Sequence, residues 1–163
     1  MHDAAMSYVA RTVDSLGLRG GDVLDLGGRD INGTPRHLFD ASSYVVVDAA
    51  GDRSVDVVAD ARTLELDRLF DVVVSTELLE HTDGGAEIVA AAFRHLRDGG
   101  VFVATMAGPG RAPHSATGTM RIPPGEWYRN VEPDELDGWL NKAGFSEWQV
   151  DVLADDVRCW ARR

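Results

Sequence analysis

Residues 23–33, VLDLGGRDING, carry a short apolar run into glycines and set Asp25 and Asp30 on either side of Gly27 and Gly28. Glycines directly after a strand let backbone approach a ligand closely. In a dinucleotide fold the loop reads G-x-G-x-x-G, with its second glycine against the pyrophosphate. Aligned on Gly28 and Gly33, this loop reads G-R-D-I-N-G, so Asp30 stands at the second glycine. A carboxylate about 4 Å from a phosphate costs about 1 kcal/mol in bulk water and several at the effective permittivity of a protein. A Walker loop, GxxxxGK[ST], does not occur. A phosphate-bearing ligand, and with it an NAD-dependent oxidoreductase, is disfavoured.

The sign of the interaction reverses for a cationic nucleoside. S-adenosylmethionine carries a sulfonium and an ammonium against one carboxylate, so acids beside the loop attract it, and Asp30 is expected near it. Further acids follow at corresponding places. Asp48 closes the run SYVVVDA, where a carboxylate can accept two ribose hydroxyls, and Asp60 follows VDVVA, where it can accept an adenine amino group. Each stands at the carboxyl end of an expected strand, the edge at which open α/β sheets bind ligands.

Those strands are short, valine-rich and non-alternating, as parallel strands buried on both faces are: 22–26, 43–49, 55–59, 70–76 and 100–106. Helices fall between them. Ala5, Tyr8, Val9, Thr12, Val13 and Leu16 recur at helical spacing within residues 1–17, with Gly17 as the stop. Thr34 before Pro35 caps a short helix; Ala86, Val89, Phe93 and Leu96 line a second that Gly99 and Gly100 stop. A third opens at Pro133, buries Leu136, Trp139, Leu140 and Ala143, and ends at Gly144. Residues 146–163 alternate and then turn at Ala-Asp-Asp, which predicts an antiparallel hairpin on the sheet edge. The expected class is α/β, a doubly wound and mostly parallel sheet.

The chain has 163 residues, which suits one domain over 1–163, and a formal net charge of -11, which opposes adsorption to nucleic acid or anionic membrane. A small-molecule partner is expected instead. No apolar run reaches membrane-spanning length and the start has no signal-peptide pattern, so the expected location is cytoplasmic. The single cysteine, Cys159, has no disulfide partner and no ligand spacing, and no metal is expected.

One stretch departs from the acidic average. Residues 99–125 contain no Asp or Glu, where the chain's composition predicts about 4.5. The aperiodic segment 107–132 follows the fifth strand and is expected to act as a lid over the acceptor. Arg111, Arg121, Tyr128 and Arg129 would grip an acidic or phosphorylated acceptor, and His114, with His81 second, would take a proton where the acceptor is a hydroxyl or a protonated amine.

The successive segments VLDLGGRDING, YVVVDAA, VDVVADA, FDVVVSTELLEHT and LRDGGVFVATMAGPG resemble the motifs of class I S-adenosylmethionine-dependent methyltransferases, in particular the small-molecule type with E-x-L-E-H after the fourth strand. The resemblance implies a seven-stranded Rossmann-like sheet with an antiparallel last strand. It makes Asp25 and Gly27 the first-motif acid and glycine near the methionine moiety, with Gly28 beside them. Asp48 becomes the ribose ligand, Asp60 with the Ala61 backbone the adenine site, and Thr76 and Glu77 the pocket wall after the fourth strand. Arg29 and Asp30 interrupt the family's alternating glycines. The implied activity is methyl transfer to a small acceptor, with O-methylation ahead; the alternative is a catalytically silent S-adenosylmethionine sensor or partner subunit. Plainer roles stay open: Asp25 holding loop amides, Asp48 and Asp60 as turn acids, Glu80 and His81 capping a corner, and the lid arginines solvated while Trp127 and Tyr128 pin the loop.

Overall fold

A computed structural model describes residues 3–163. Seven strands form one sheet in the order β3-β2-β1-β4-β5-β7-β6, where β1 is Asp22–Leu26, β2 Ser43–Asp48, β3 Val57–Val58, β4 Phe70–Thr76, β5 Leu96–Ala107, β6 Glu147–Leu153 and β7 Asp156–Arg162. β1 to β5 run parallel, while β7 is antiparallel to both β5 and β6. The chain order reverses between β1 and β4, so their carboxyl ends diverge into a crevice.

Alternate strand residues serve opposite helical layers, as a period of two requires. Val23, Val46, Val72, Val74, Val101 and Val103 pack under α1 (Asp3–Leu16) and α2 (Arg36–Phe39). Leu24, Leu26, Val73, Phe102, Ala104 and Met106 pack under α3 (Gly85–His95) and α4 (Pro133–Ala143). Helix α1 buries Ala5, Tyr8, Val9, Thr12 and Val13 and ends at Gly17, whose φ of 65° turns the chain so that the Leu18 amide donates to the Val13 carbonyl at 2.9 Å. The first two residues of the expected 1–17 helix lie outside the described residues. Among the described residues no helix is long and apolar enough to cross a membrane.

Three boundaries differ from expectation. The expected strand 55–59 contracts to Val57–Val58; at its start the Asp56 carboxylate accepts the Val46 amide at 2.9 Å while the Asp56 amide donates to the Val46 carbonyl at 3.0 Å, so a side chain takes part of the pairing on this sheet edge. Helix α3 ends at His95, before its glycines, and Leu96 already pairs with Phe70. Gly99 and Gly100 instead shape a register shift inside the strand: Gly99 has φ 78°, and a Cβ on Gly100 would lie 2.9 Å from the Arg97 carbonyl oxygen. The short helix α2 starts one residue later than Pro35, yet Thr34 Oγ1 still accepts the Arg36 amide at 3.2 Å.

Candidate functional site

The carboxyl ends of β1, β2 and β4 open into a cavity of about 760 Å³, within the range of small-molecule sites. The glycine loop forms one wall, residues 48–50 and 60–62 a second, and the segment after β5 the roof. The roof meets the glycine loop directly: a Cβ on Gly118 would lie 2.6 Å from Asn32 Nδ2.

Asp25 forms the floor and is fully buried. Its Oδ2 accepts the Tyr44 hydroxyl at 2.7 Å, while Oδ1 is buried without a hydrogen-bond partner among the described residues. Burial pushes this carboxyl up to about 7; the Tyr44 hydroxyl opposes the rise and Asp48 adds to it. A buried, half-satisfied carboxyl beside a cavity suits a cationic ligand, whose charge restores the anionic form. Gly28 shows why a glycine follows: a Cβ there would lie 2.4 Å from Asp25 Cγ, so only a bare α-carbon admits the carboxyl. Gly27, with φ 73°, turns the loop, and its amide donates to the Val47 carbonyl at 2.8 Å.

Asp48, Asp60, Ala61, Thr76 and Glu77 all line the cavity. Asp48 Oδ1 accepts the Ala50 amide at 2.8 Å and lies 3.8 Å from Arg29 Nε. Asp60 is held by Arg62, a residue the sequence did not flag: the guanidinium donates to both of its oxygens and also reaches Asp83 at 2.9 Å. These bonds hold the Asp60 carboxyl below its ordinary value. Glu77 has φ 56°, a left-handed conformation uncommon outside glycine, and its amide donates to the Thr105 carbonyl at 2.8 Å.

Asp30 is placed differently from expectation. It is exposed and not part of the cavity wall. Its Oδ1 accepts the Gly33 amide at 2.9 Å and its own amide donates to Ser54 Oγ at 3.0 Å. The carboxylate caps its own loop, as an aspartate accepting a backbone amide a few residues along does. The acids that line the cavity are Asp25, Asp48, Asp60, Glu77 and Asp83.

The acceptor end also departs from expectation. Arg111 lines the cavity, but its guanidinium pairs with the buried Asp156 carboxylate and lies 3.5 Å from Glu77 Oε2. Arg121 is exposed and outside the wall; Arg129 is outside it too, paired with Glu135 at 2.7 Å. Tyr128 packs edge-on against His81 and His114, with ring centroids 5.5 and 5.0 Å away. Within the acid-free run 99–125, Arg111 is paired by acids from elsewhere in the chain, Asp156 and Glu77.

His81 and His114 do come together, with ring centroids 5.1 Å apart. Burial, then the neighbouring His114, lowers His81 to about 4, leaving it neutral at pH 7. His114 Nδ1 lies 3.2 Å from the Ala112 carbonyl, which can only accept, so that nitrogen carries the proton and Nε2 offers a lone pair. Behind them sits Glu80, with no exposed surface. Its Oε1 accepts the Ala107 amide at 3.1 Å, and burial followed by Glu77 pushes the carboxyl well above the usual range. The E-x-L-E-H spacing signalled this residue, placing Glu77 and Glu80 three positions apart around one turn.

A sequence profile described as a methyltransferase domain matches residues 1–150. Comparison with curated proteins finds no match. Among solved structures, the Burkholderia thailandensis 1,6-didemethyltoxoflavin-N1-methyltransferase, with bound 1,6-didemethyltoxoflavin and S-adenosylhomocysteine, is 20% identical over 99% of this chain and 79% of its own, with a TM-score of 0.71. An S-adenosylmethionine-dependent methyltransferase from Mesorhizobium loti is 19% identical over 99% of both chains, with a TM-score of 0.72. One from Clostridium acetobutylicum is 12% identical over 99% of this chain and 92% of its own, with a TM-score of 0.70. Similarity at these identities shows a shared fold.

Proposed function

We infer, for a chain that belongs to the methyltransferase-domain family and is a class I S-adenosylmethionine-dependent methyltransferase, that its acceptor is a small molecule presenting a hydroxyl group. We assign it to the small-molecule, E-x-L-E-H type on Glu77, Glu80 and His81, whose turn stands at the acceptor end. Bound S-adenosylmethionine supplies an electrophilic methyl on a sulfonium. The chain's residues have then to bind it, align an acceptor and manage one proton.

On this reading Asp25 and the Gly27–Gly28 backbone hold the methionine end, with the orphaned Asp25 Oδ1 toward its ammonium. Asp48 takes the ribose hydroxyls, while Asp60 and the Ala61 backbone take the adenine, with Arg62 fixing the Asp60 carboxylate. Thr76 and Glu77 wall the cavity beside the reacting centre. Segment 107–132 is the lid.

The engaged Arg111 and the outward Arg121 and Arg129 remove the cations that an anionic acceptor would need, and a neutral acceptor replaces it. The observation that carries the hydroxyl reading is His114: it lines the cavity, and Ala112 fixes its tautomer with Nε2 available to take the acceptor's proton. Incubation with methyl-labelled S-adenosylmethionine and a small-molecule extract, read by mass spectrometry, tests the reading. Labelled methyl ethers are expected, and His114→Ala should lower their formation by about 10²–10⁴-fold, the usual contribution of a general base. Labelled carboxylate esters with unaffected His114→Ala activity would overturn it.

A further inference from the structure

We propose that Glu80, His81 and His114 form a divalent-metal site at the acceptor end of the cavity, suited to a borderline ion such as Zn²⁺ in preference to Mg²⁺. The inference rests on the hydroxyl-acceptor reading above and names how that hydroxyl is activated.

One ligand atom from each of the three side chains lies within 4.8 Å of the others. His114 Nε2 is 4.0 Å from Glu80 Oε1. Around a tetrahedral ion with bonds of about 2.0–2.2 Å, ligand atoms stand about 3.4 Å apart, so the widest pair must close by about 1.4 Å to complete the set. His114 belongs to a loop between the positive-φ glycines Gly110 and Gly118, able to make that adjustment.

Two further observations point to a ligand. Glu80 has no exposed surface, yet its Oε2 finds no hydrogen-bond partner among the described residues; His81 Nδ1 is likewise buried without a hydrogen bond, with Glu126 Oε1 3.9 Å away. Buried polar atoms left in this state are costly unless a partner arrives, and a cation serves a carboxylate and an imidazole at once. The outer contacts also exist. The Ala107 amide holds Glu80 Oε1, and the Ala112 carbonyl holds His114 Nδ1, leaving Nε2 as the ligand atom. Two imidazoles with one carboxylate suit Zn²⁺, Fe²⁺ or Co²⁺, whereas Mg²⁺ requires oxygen ligands.

His81 and His114 line the cavity, so an ion held there faces the acceptor with coordination positions open. As a Lewis acid it would lower the pKa of an acceptor hydroxyl. The O–H bond breaks with its proton passing to solvent, the oxygen's electron pair forms the O–CH₃ bond, and the methyl–sulfur bond breaks toward sulfur. His114 then acts as a ligand in place of a base.

The test uses untagged, chelator-stripped full-length protein titrated calorimetrically with Zn²⁺ and, separately, Mg²⁺, and loaded with Co²⁺ for visible absorption. The expected result is one equivalent of Zn²⁺, a Co²⁺ ligand-field band, and no Mg²⁺ binding at matched concentration. His114→Ala, on the surface loop, should weaken Zn²⁺ at least 10-fold and remove the band; Glu80→Gln, checked for folding by circular dichroism, should do the same. Zn²⁺ binding that His114→Ala leaves unchanged, or no uptake at all, overturns the proposal. Stripped protein that still forms methyl ethers without taking up Zn²⁺ overturns the metal site alone and leaves the hydroxyl reading standing. One-equivalent binding lost in His114→Ala, with no ether formed from any acceptor, supports the metal site and overturns the hydroxyl reading.

Discussion

The carboxyl group of Asp25 packs against the α-carbon of Gly28, so closely that a Cβ there would lie 2.4 Å from Asp25 Cγ. The buried acid and the bare backbone beside it are one feature, and no side chain fits at position 28 unless Asp25 or the loop moves.

Gly28→Ala is therefore expected to displace either the Asp25 side chain or the loop. Affinity for S-adenosylmethionine should fall by at least 10-fold, measured calorimetrically. The fold should persist, because β1 and its neighbours are held by pairing that does not involve residue 28.

Asp25→Asn should separate stability from binding. With the folded carboxyl near 7 and the unfolded one at its ordinary 3.8, the native state keeps a proton that the unfolded state has lost, so stability falls as pH rises across that range. His81, lowered to about 4, works in the opposite sense: the unfolded chain takes its proton first, and stability is lost as pH falls from 6.5 toward 4. The Asn variant removes only the first effect. Free of ligand at pH 8 it should be more stable than the parent, by on the order of a few kcal/mol by linkage, while binding S-adenosylmethionine more weakly. Denaturant melts at pH 5 and pH 8 check the sign; a variant less stable than the parent at pH 8 would contradict it.

Arg111→Ala should destabilise the fold while acting little on acceptor recognition. It removes the guanidinium from Asp156, a carboxylate with no exposed surface, and breaking such a pair costs about 3–5 kcal/mol when fully buried. Arg111 is a quarter exposed, so about 2 kcal/mol is expected from chemical denaturation. Arg111→Lys should restore part of it. A large rise in acceptor KM with unchanged stability would return Arg111 to acceptor binding.

Arg62→Ala should behave the opposite way. Its partners Asp60 and Asp83 are both exposed, and such pairs contribute about 0–1 kcal/mol. The melting temperature should barely move, whereas affinity for S-adenosylmethionine should drop several-fold as the Asp60 carboxylate loses its fixed orientation. Calorimetry beside a thermal melt distinguishes the two effects.

Much of the molecule was legible in short stretches of chain. The valine runs, the glycine and proline stops and the acids at strand ends depend on neighbours a few residues away, so the sheet, the terminal hairpin and the cavity-lining residues Asp25, Gly27, Gly28, Asp48, Asp60, Ala61, Thr76 and Glu77 could be placed around one crevice. Asp30 lies outside the cavity wall for a local reason as well: an aspartate three residues before a glycine can cap its own turn, and it does.

The acceptor end was decided by tertiary structure. Arg111 meets Asp156 across 45 positions of sequence and Glu77 across 34, and His114 reaches Glu80 only because the roof folds back over the turn after β4. The sequence determined which elements form and which strand-end residues gather at the crevice, since propensity, capping and hydrophobic period act over a few residues. The charge of the roof was settled by the fold, because electrostatic interactions sum over distance in space, and a cation of an acid-free stretch, Arg111, meets Asp156 and Glu77 from distant parts of the chain.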